Sequence, residues 1–413
     1  MSRLRQAVSV ATALYGQRLA IAYAGYLRRD PIGLLQLRPG RENPYAIYER
    51  LRAGGTLTRT RMGNWATTSH RLCDQVLRDR RFGVRPDGVA PGPDEIDLSF
   101  LDMNPPDHTR LRRLTQPAFS PSRMAGYRPR IEATVGRLLD AAPDHFDVVP
   151  ALAAPLPIAV ITDLLGVPDA DADAFARYGT VIGGALDGIR SLSHAAALQA
   201  ANTELAALFE SLFALRRKEP ADDLVSRVVA AEGEQVRPAE LLPLCVLLLI
   251  AGFETTVNLI GNAVNALLDH PQQWKALCAD PAGMAPRAVE ETLRFDPPVQ
   301  RTARVALEPV PLDGRTVHKG QWVVAFIGAA NRDPEAYPDP NRYDLQREPT
   351  TDHLAFSSGI HYCLGQPLAR LEATVALHLL AERMPGLRRV GATRRRNSTT
   401  IRGPIRLPVR RRA

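Results

Sequence analysis

The chain has 413 residues, 45% of them apolar and 23% charged, which suits a soluble protein with a large core. Its net charge of +8 gathers in a C-terminal tail carrying Arg388, Arg389, Arg394, Arg395, Arg396, Arg402, Arg406, Arg410, Arg411 and Arg412. Prolines and apolar residues break that run, so a solvated face is expected and no nucleic-acid partner. Cys73, Cys245, Cys278 and Cys363 form no CxxC pair, which supports neither a zinc site nor a disulfide framework and fits a reducing cytoplasm.

In chain order, residues 7–27 are largely apolar between Arg3/Arg5 and Arg28/Arg29. Gln17 and Arg18 interrupt them, short of the roughly 20 apolar residues of a spanning helix, and no small-residue cleavage site follows. The pattern predicts an amphipathic helix in a 1–30 extension, packed on the body, with contact to a membrane surface as the alternative. Residues 55–68 alternate about Gly63-Asn64 and predict a hairpin with a two-residue turn. A helix follows from Ser69 to Arg78, then a long loop from Phe82 to Leu101 rich in Gly, Pro and Asp. Pro105-Pro106 opens the next helix. Further helices run to about residue 235, with a mobile glycine-bearing segment near Gly179–Gly188.

Residues 239–269 carry the longest helical pattern, about 45 Å at 1.5 Å per residue. A helix over Ala285–Phe295 stops at Pro297-Pro298. Short β-like runs fill 299–326, turning at Asp313-Gly314 and Lys319-Gly320, before an irregular segment over 331–352. A cysteine loop, a last helix to about Met384 and extended segments complete the chain. Long helices around a few short strands predict a mainly α (α+β) protein, with one domain across 1–413.

Four groups of residues bear chemistry. The run Phe356-Ser-Ser-Gly359-Ile-His361-Tyr-Cys363-Leu-Gly365 holds one thiol on a glycine-bracketed loop that passes directly into a helix. Such a loop can bring a thiolate up beneath a flat metal macrocycle, with Phe356 shielding the sulfur and free amides tuning its charge. In the long helix, Ala251-Gly252-Phe-Glu254-Thr255-Thr256 introduces a glycine, an acid and two hydroxyls. Taken alone, that is more often a packing glycine before a polar turn. Glu291 and Arg294 lie three apart on one helix face, next to the apolar Phe295. His108 and Arg112 lie four apart and point the same way.

Together these motifs resemble the cytochrome P-450 superfamily in order and spacing, from the first quarter of the chain nearly to its end. The resemblance implies that fold, with a large helical region, a long central helix and a smaller β-rich region. It implies haem b with the Cys363 thiolate as axial ligand, on a loop where Ser357 replaces the usual glycine. His108, Arg112, Arg304 and His361 match positions that hold the haem propionates, and Phe356, Gly359 and Gly365 shape the loop. Ala251 and Gly252 would leave room for dioxygen, with Thr256 beside them. Thr255 would act as its hydrogen-bond donor and Glu254 as the proton relay. Glu291 and Arg294, completed by Arg342, match a structural triad. Substrate contacts are expected from the 82–101 loop, the 175–190 segment and residues 298–302, including Phe100, Leu247, Ile250 and Val299.

The activity implied is that of a soluble, cytoplasmic, monomeric monooxygenase placing one atom of O2 into a hydrophobic small molecule. Electrons from NAD(P)H would arrive through a ferredoxin or flavodoxin and its reductase, since no flavin or iron–sulfur motif extends the chain. A haem sensor or carrier without turnover is the alternative outside catalysis, and C–C coupling or peroxygenation are alternatives within it.

Overall fold

The computed structural model describes residues 15–16, 18–60, 63–89, 97–168, 172–187 and 191–411. Residues 7–14 and 17 of the apolar N-terminal segment, residues 90–96 of the long loop and Gly188 lie outside the described residues, as do Arg412 and Ala413.

The helix Pro238–Asp269 runs 32 residues through the middle of the molecule. Pro238 occupies its first turn, where a missing N–H costs nothing, and the Arg237 amide donates to Glu240 Oε2 at 2.8 Å. Among the described residues it alone is long and apolar enough to cross a membrane, yet 83% of its most apolar window is buried inside the protein. Helices Pro155–Leu165, Ala172–Ala185, Pro281–Phe295 and Gln366–Arg383 pack around it. Leu249, Ile260, Val264 and Leu267 are wholly buried there, and each such side chain contributes roughly 1.5–3 kcal/mol. Asn262 is one of several buried polar side chains on this largely apolar rod. Its amide donates to the carbonyls of Asp296 at 2.9 Å and Arg402 at 3.0 Å, so a polar side chain ties the C-terminal segment to the core helix.

The β-rich region is a five-stranded sheet in the order Leu57–Arg59, Trp65–Thr67, Trp322–Ala325, Thr302–Ala306 and Phe82–Gly83. Trp65–Thr67 pairs parallel with Trp322–Ala325, and the other pairings are antiparallel. The sheet therefore joins the first quarter of the chain to its last third. The hairpin forms as its alternation predicts, with Leu57 opposite Thr67 and Arg59 opposite Trp65. Its turn is wider than two residues. The Thr60 amide donates to the Asn64 carbonyl at 2.7 Å, and Gly63 takes a positive φ of 83° inside that closure.

The segment expected to be mobile is instead helical. Gly179, Gly183 and Gly184 lie within Ala172–Ala185, against the long helix. A Cβ on Gly179 would strike the Phe253 ring, and one on Gly183 would sit 3.3 Å from Glu254 Cγ. Close helix packing overrides the weak helical propensity of glycine here.

Candidate active site

The cysteine loop is held at two points by one helix. Ser358 Oγ donates to Asp74 Oδ1 at 2.7 Å, and Gly359, at φ 68°, lies so close to Leu77 and Arg78 that a Cβ would collide with the Leu77 carbonyl. Both partners belong to the helix His70–Arg78. Ser357 also has a positive φ, 65°. The position takes a left-handed backbone, which serine adopts at a cost of about 1 kcal/mol relative to glycine. Its hydroxyl is buried without a partner among the described residues.

Within the loop the Cys363 amide donates to the Phe356 carbonyl at 2.8 Å. The thiol is half-buried. Burial pushes its pKa up, while the amides of Gly365 and Gln366 and the guanidinium groups of Arg112 and Arg370 pull it down. Those amides open the helix Gln366–Arg383, so the positive end of a helix dipole faces the sulfur and offsets part of the burial that holds its pKa above the ordinary value. Arg370 stacks 4.5 Å over the Phe356 ring and pairs with Glu290 at 2.6 Å. The ring is thereby clamped in the loop that carries the thiol.

His108, Arg112, Arg304 and His361 converge although they come from three separate segments: the helix Asp107–Thr115, the strand Thr302–Ala306 and the cysteine loop. The His108 and His361 rings are 4.3 Å apart between centroids. Neither ring nitrogen of His108 has a hydrogen-bond partner among the described residues, nor does Nε2 of His361. Burial, then the neighbouring cations, depress His108 to about 4 and His361 to about 3. Burial alone lowers Arg304 to about 10. No acidic side chain pairs with Arg112 or Arg304 among the described residues, so the cluster holds buried donors and cations with no internal counter-charge. Such a cluster is costly unless an anion completes it. A pair of carboxylates above a cysteine loop is what the haem propionates supply, and the residues fit the group.

On the long helix, Leu247, Ala251 and Thr255 stand at i, i+4 and i+8, in one row. Ala251 is exposed and Thr255 half-buried, and Thr255 Oγ1 donates to the Ala251 carbonyl at 3.1 Å. Thr256 is buried and donates to the Gly252 carbonyl instead. Gly252 does not open space on the Thr255 side. A Cβ there would lie 2.5 Å from Ile161 Cδ1, so the glycine serves the packing of helix Pro155–Leu165. Gly252→Ala should therefore lose about 1–3 kcal/mol of stability by overpacking. Ile161→Ala in the same chain should restore part of it, as read from thermal midpoints.

Glu254 is buried and points away from Thr255. Its Oε1 lies 2.7 Å from Arg396 and accepts from Asn258 Nδ2 at 3.1 Å. Burial raises its pKa, with Arg396 acting in the opposite direction. Sequence spacing did not expose Arg396 as its partner, because the two residues are far apart in the chain and meet only through the C-terminal segment. Of the expected substrate contacts, Phe100 packs edge-on to His108 with centroids 6.3 Å apart. Leu247 and Ile250 are buried in the main core, Ile250 one residue off the Ala251–Thr255 row. Val299 is half-buried and bridges to Ile401.

The structural triad differs from expectation in one member. Arg294 grips Glu291 with two contacts of 2.7 Å, and its guanidinium also reaches the carbonyls of Asn331, Pro340 and Arg342. Arg342 contributes only that carbonyl. Its side chain is 65% exposed and pairs with Asp344. Arg347 takes the third place, with its side chain 13% exposed and Nε 3.4 Å from Glu291 Oε1.

Comparison with known proteins identifies the family. The cytochrome P450 family model matches residues 284–383. Cytochrome P450 107B1 of Saccharopolyspora erythraea is 43% identical over 340 residues, 80% of each chain. The cytochrome P450 monooxygenase PikC of Streptomyces venezuelae is 40% identical over 84% of this chain and 85% of its own. The crystal structure of Mycobacterium smegmatis CYP164A2 without ligand superposes with a TM-score of 0.85 at 39% identity, covering 92% of this chain and 99% of that one. The chain belongs to the cytochrome P450 family, the haem-thiolate monooxygenases that use dioxygen and NAD(P)H-derived electrons to hydroxylate or epoxidise their substrates.

Proposed function

We propose that the chain oxygenates a hydrophobic small molecule, and that Cys363 would hold the haem iron through its sulfur while His108, Arg112, Arg304 and His361 would hold the haem propionates. The observation that carries this reading is the cluster of unpartnered histidine nitrogens and arginines, with no acidic counter-charge among the described residues, beside a thiol whose burial is offset in part by helix amides and two arginines. Bound haem supplies the oxidising chemistry, and the chain supplies position, dryness and protons.

Substrate packs against Phe100, Leu247, Ala251 and Val299, where charges are few and apolar contact sets affinity. Ile250 supports that wall from within the core. Thr255 presents its hydroxyl on the Ala251 face, bonded to the Ala251 carbonyl at 3.1 Å, and would donate a hydrogen bond there. Glu254 stores a proton at its carboxyl, and delivery requires it to leave Arg396. The close seat of Ala172–Ala185 on Phe253 and Glu254 keeps bulk water from that carboxyl until then. Electrons arrive from a ferredoxin or flavodoxin and its reductase. The basic surface steers such an acidic partner, so reduction should slow as salt rises. The protein works as a monomer of one domain in the cytoplasm.

The reading is tested by purifying the holoprotein, recording the ferrous carbonyl spectrum, and screening terpenoids, macrolides, steroids and fatty acids for a ligand-induced Soret shift. A haem-free protein, or a spectrum without thiolate character, overturns it. Given a substrate, Thr255→Ala should lower product per NAD(P)H by about tenfold, the size of one lost hydrogen bond of about 1.4 kcal/mol. The missing reducing equivalents should appear as hydrogen peroxide. Unchanged coupling would remove the role given to Thr255.

A further inference from the structure

We infer that the N-terminal helical segment around residues 15–27 is a docking surface for an anionic lipid bilayer. The inference is independent of the haem reading. Five of the twelve exposed large apolar side chains among the described residues fall in this short stretch: Tyr15, Leu19, Tyr23, Tyr26 and Leu27, each 50–74% exposed. Leu19 and Tyr23 stand four apart, and Tyr26 and Leu27 follow within the π-helical turn Tyr23–Leu27, with all of them and Tyr15 open to solvent.

The opposite side faces the protein. Gly25 lies against Gly33, where a Cβ on Gly25 would come within 3.0 Å of the Gly33 carbonyl carbon. Ile21, Ala22 and Ala24 are half-buried. Asp30 then caps the next short helix, accepting from the amides of Ile32 at 2.8 Å and Gly33 at 3.2 Å. The segment is therefore held to the body along one side while its large apolar side chains turn outward. Packing on the body, as expected from sequence, accounts for Gly25 but leaves the five large side chains uncovered.

Charge identifies the occupant. Residues 1–29 contain five arginines, Arg3, Arg5, Arg18, Arg28 and Arg29, and no aspartate or glutamate. Arg18 lies 6.0 Å from the Tyr15 ring centre and Arg28 5.5 Å from that of Tyr23, and Arg28 Nε donates to the Tyr23 hydroxyl at 3.0 Å. Apolar stem, tyrosine ring and cation thus alternate on one outward surface. Tyrosine favours the headgroup level of a membrane, and arginine favours its anionic lipids. A second copy of the chain is a poor occupant, since a two-fold contact would bring this uniformly basic stretch against itself.

The test is co-sedimentation of the full-length holoprotein with phosphatidylglycerol vesicles and with phosphatidylcholine vesicles, at low and high ionic strength. Binding to phosphatidylglycerol should exceed binding to phosphatidylcholine by about tenfold or more and should fall with salt. The double variant Leu19→Glu/Leu27→Glu changes only exposed positions. It should keep the haem spectrum while losing the vesicle interaction. Three results would overturn the inference: no pelleting with phosphatidylglycerol, full binding by the double variant, or a concentration-dependent dimer in sedimentation velocity that the same variant abolishes.

Discussion

Replacing Cys363 with alanine is expected to abolish the thiolate-type ferrous carbonyl spectrum and to lower oxygen insertion by at least about three orders of magnitude, about 4 kcal/mol in barrier. The fold should survive. The thiol is half-buried, and its removal leaves the Cys363 amide bonded to Phe356, so stability should change by no more than about 1 kcal/mol. Haem affinity should fall less than activity, because the cationic cluster at His108, Arg112, Arg304 and His361 does not depend on the sulfur. The loss of chemistry follows from charge. With haem bound, a Cys363 thiolate would supply electron density to the iron, and the amides of Gly365 and Gln366 with Arg112 and Arg370 would stabilise the charge on that sulfur. Absorbance of the reduced, carbonylated variant and product formation with an external electron supply provide the two readouts. Retained turnover would count decisively against Cys363 as the axial ligand.

Much of this site was legible in the chain because its parts are local. The cysteine loop, the hydroxyl pair on the long helix and the Glu291–Arg294 spacing are each short runs in which neighbours in sequence remain neighbours in space. The long helix was legible for the same reason, its apolar length exceeding anything else in the chain. What sequence missed depends on contacts between distant segments. Glu254 reads as a proton relay from its place beside Thr255, yet its carboxyl direction is set by Arg396. Gly252 reads as a gap near the reacting atoms, but the side chain it lacks would point at Ile161. The glycines at 179, 183 and 184 read as mobile because propensity is local, whereas Phe253 and Glu254 supply a surface on which only small residues fit. Ser357 departs from the usual glycine at a position whose φ of 65° shows why glycine is usual.

The triad offers the second large effect and separates two readings of one irregular segment. Arg294→Ala would strip Glu291, itself 5% exposed, of its two closest contacts. It would also leave the carbonyls of Asn331, Pro340 and Arg342 without this donor. Removing one partner of a buried pair typically costs about 3–5 kcal/mol, a large part of the 5–15 kcal/mol that holds a typical protein together. Little folded holoprotein should accumulate. Arg347→Ala should be intermediate, at about 1–3 kcal/mol, since that guanidinium sits farther from Glu291 and shares its bonds among the carbonyls of Pro338, Asp339 and Arg342. Arg342→Ala should cost no more than about 1 kcal/mol, as an exposed arginine with one surface partner. Periodicity cannot tell Arg342 from Arg347, because both lie in a stretch without regular structure and only the folded chain shows which is buried. Urea midpoints and haem content of the three variants decide the matter. Equal losses at 342 and 347, or a normal haem yield from Arg294→Ala, would show that this pair does not brace the segment leading to the cysteine loop.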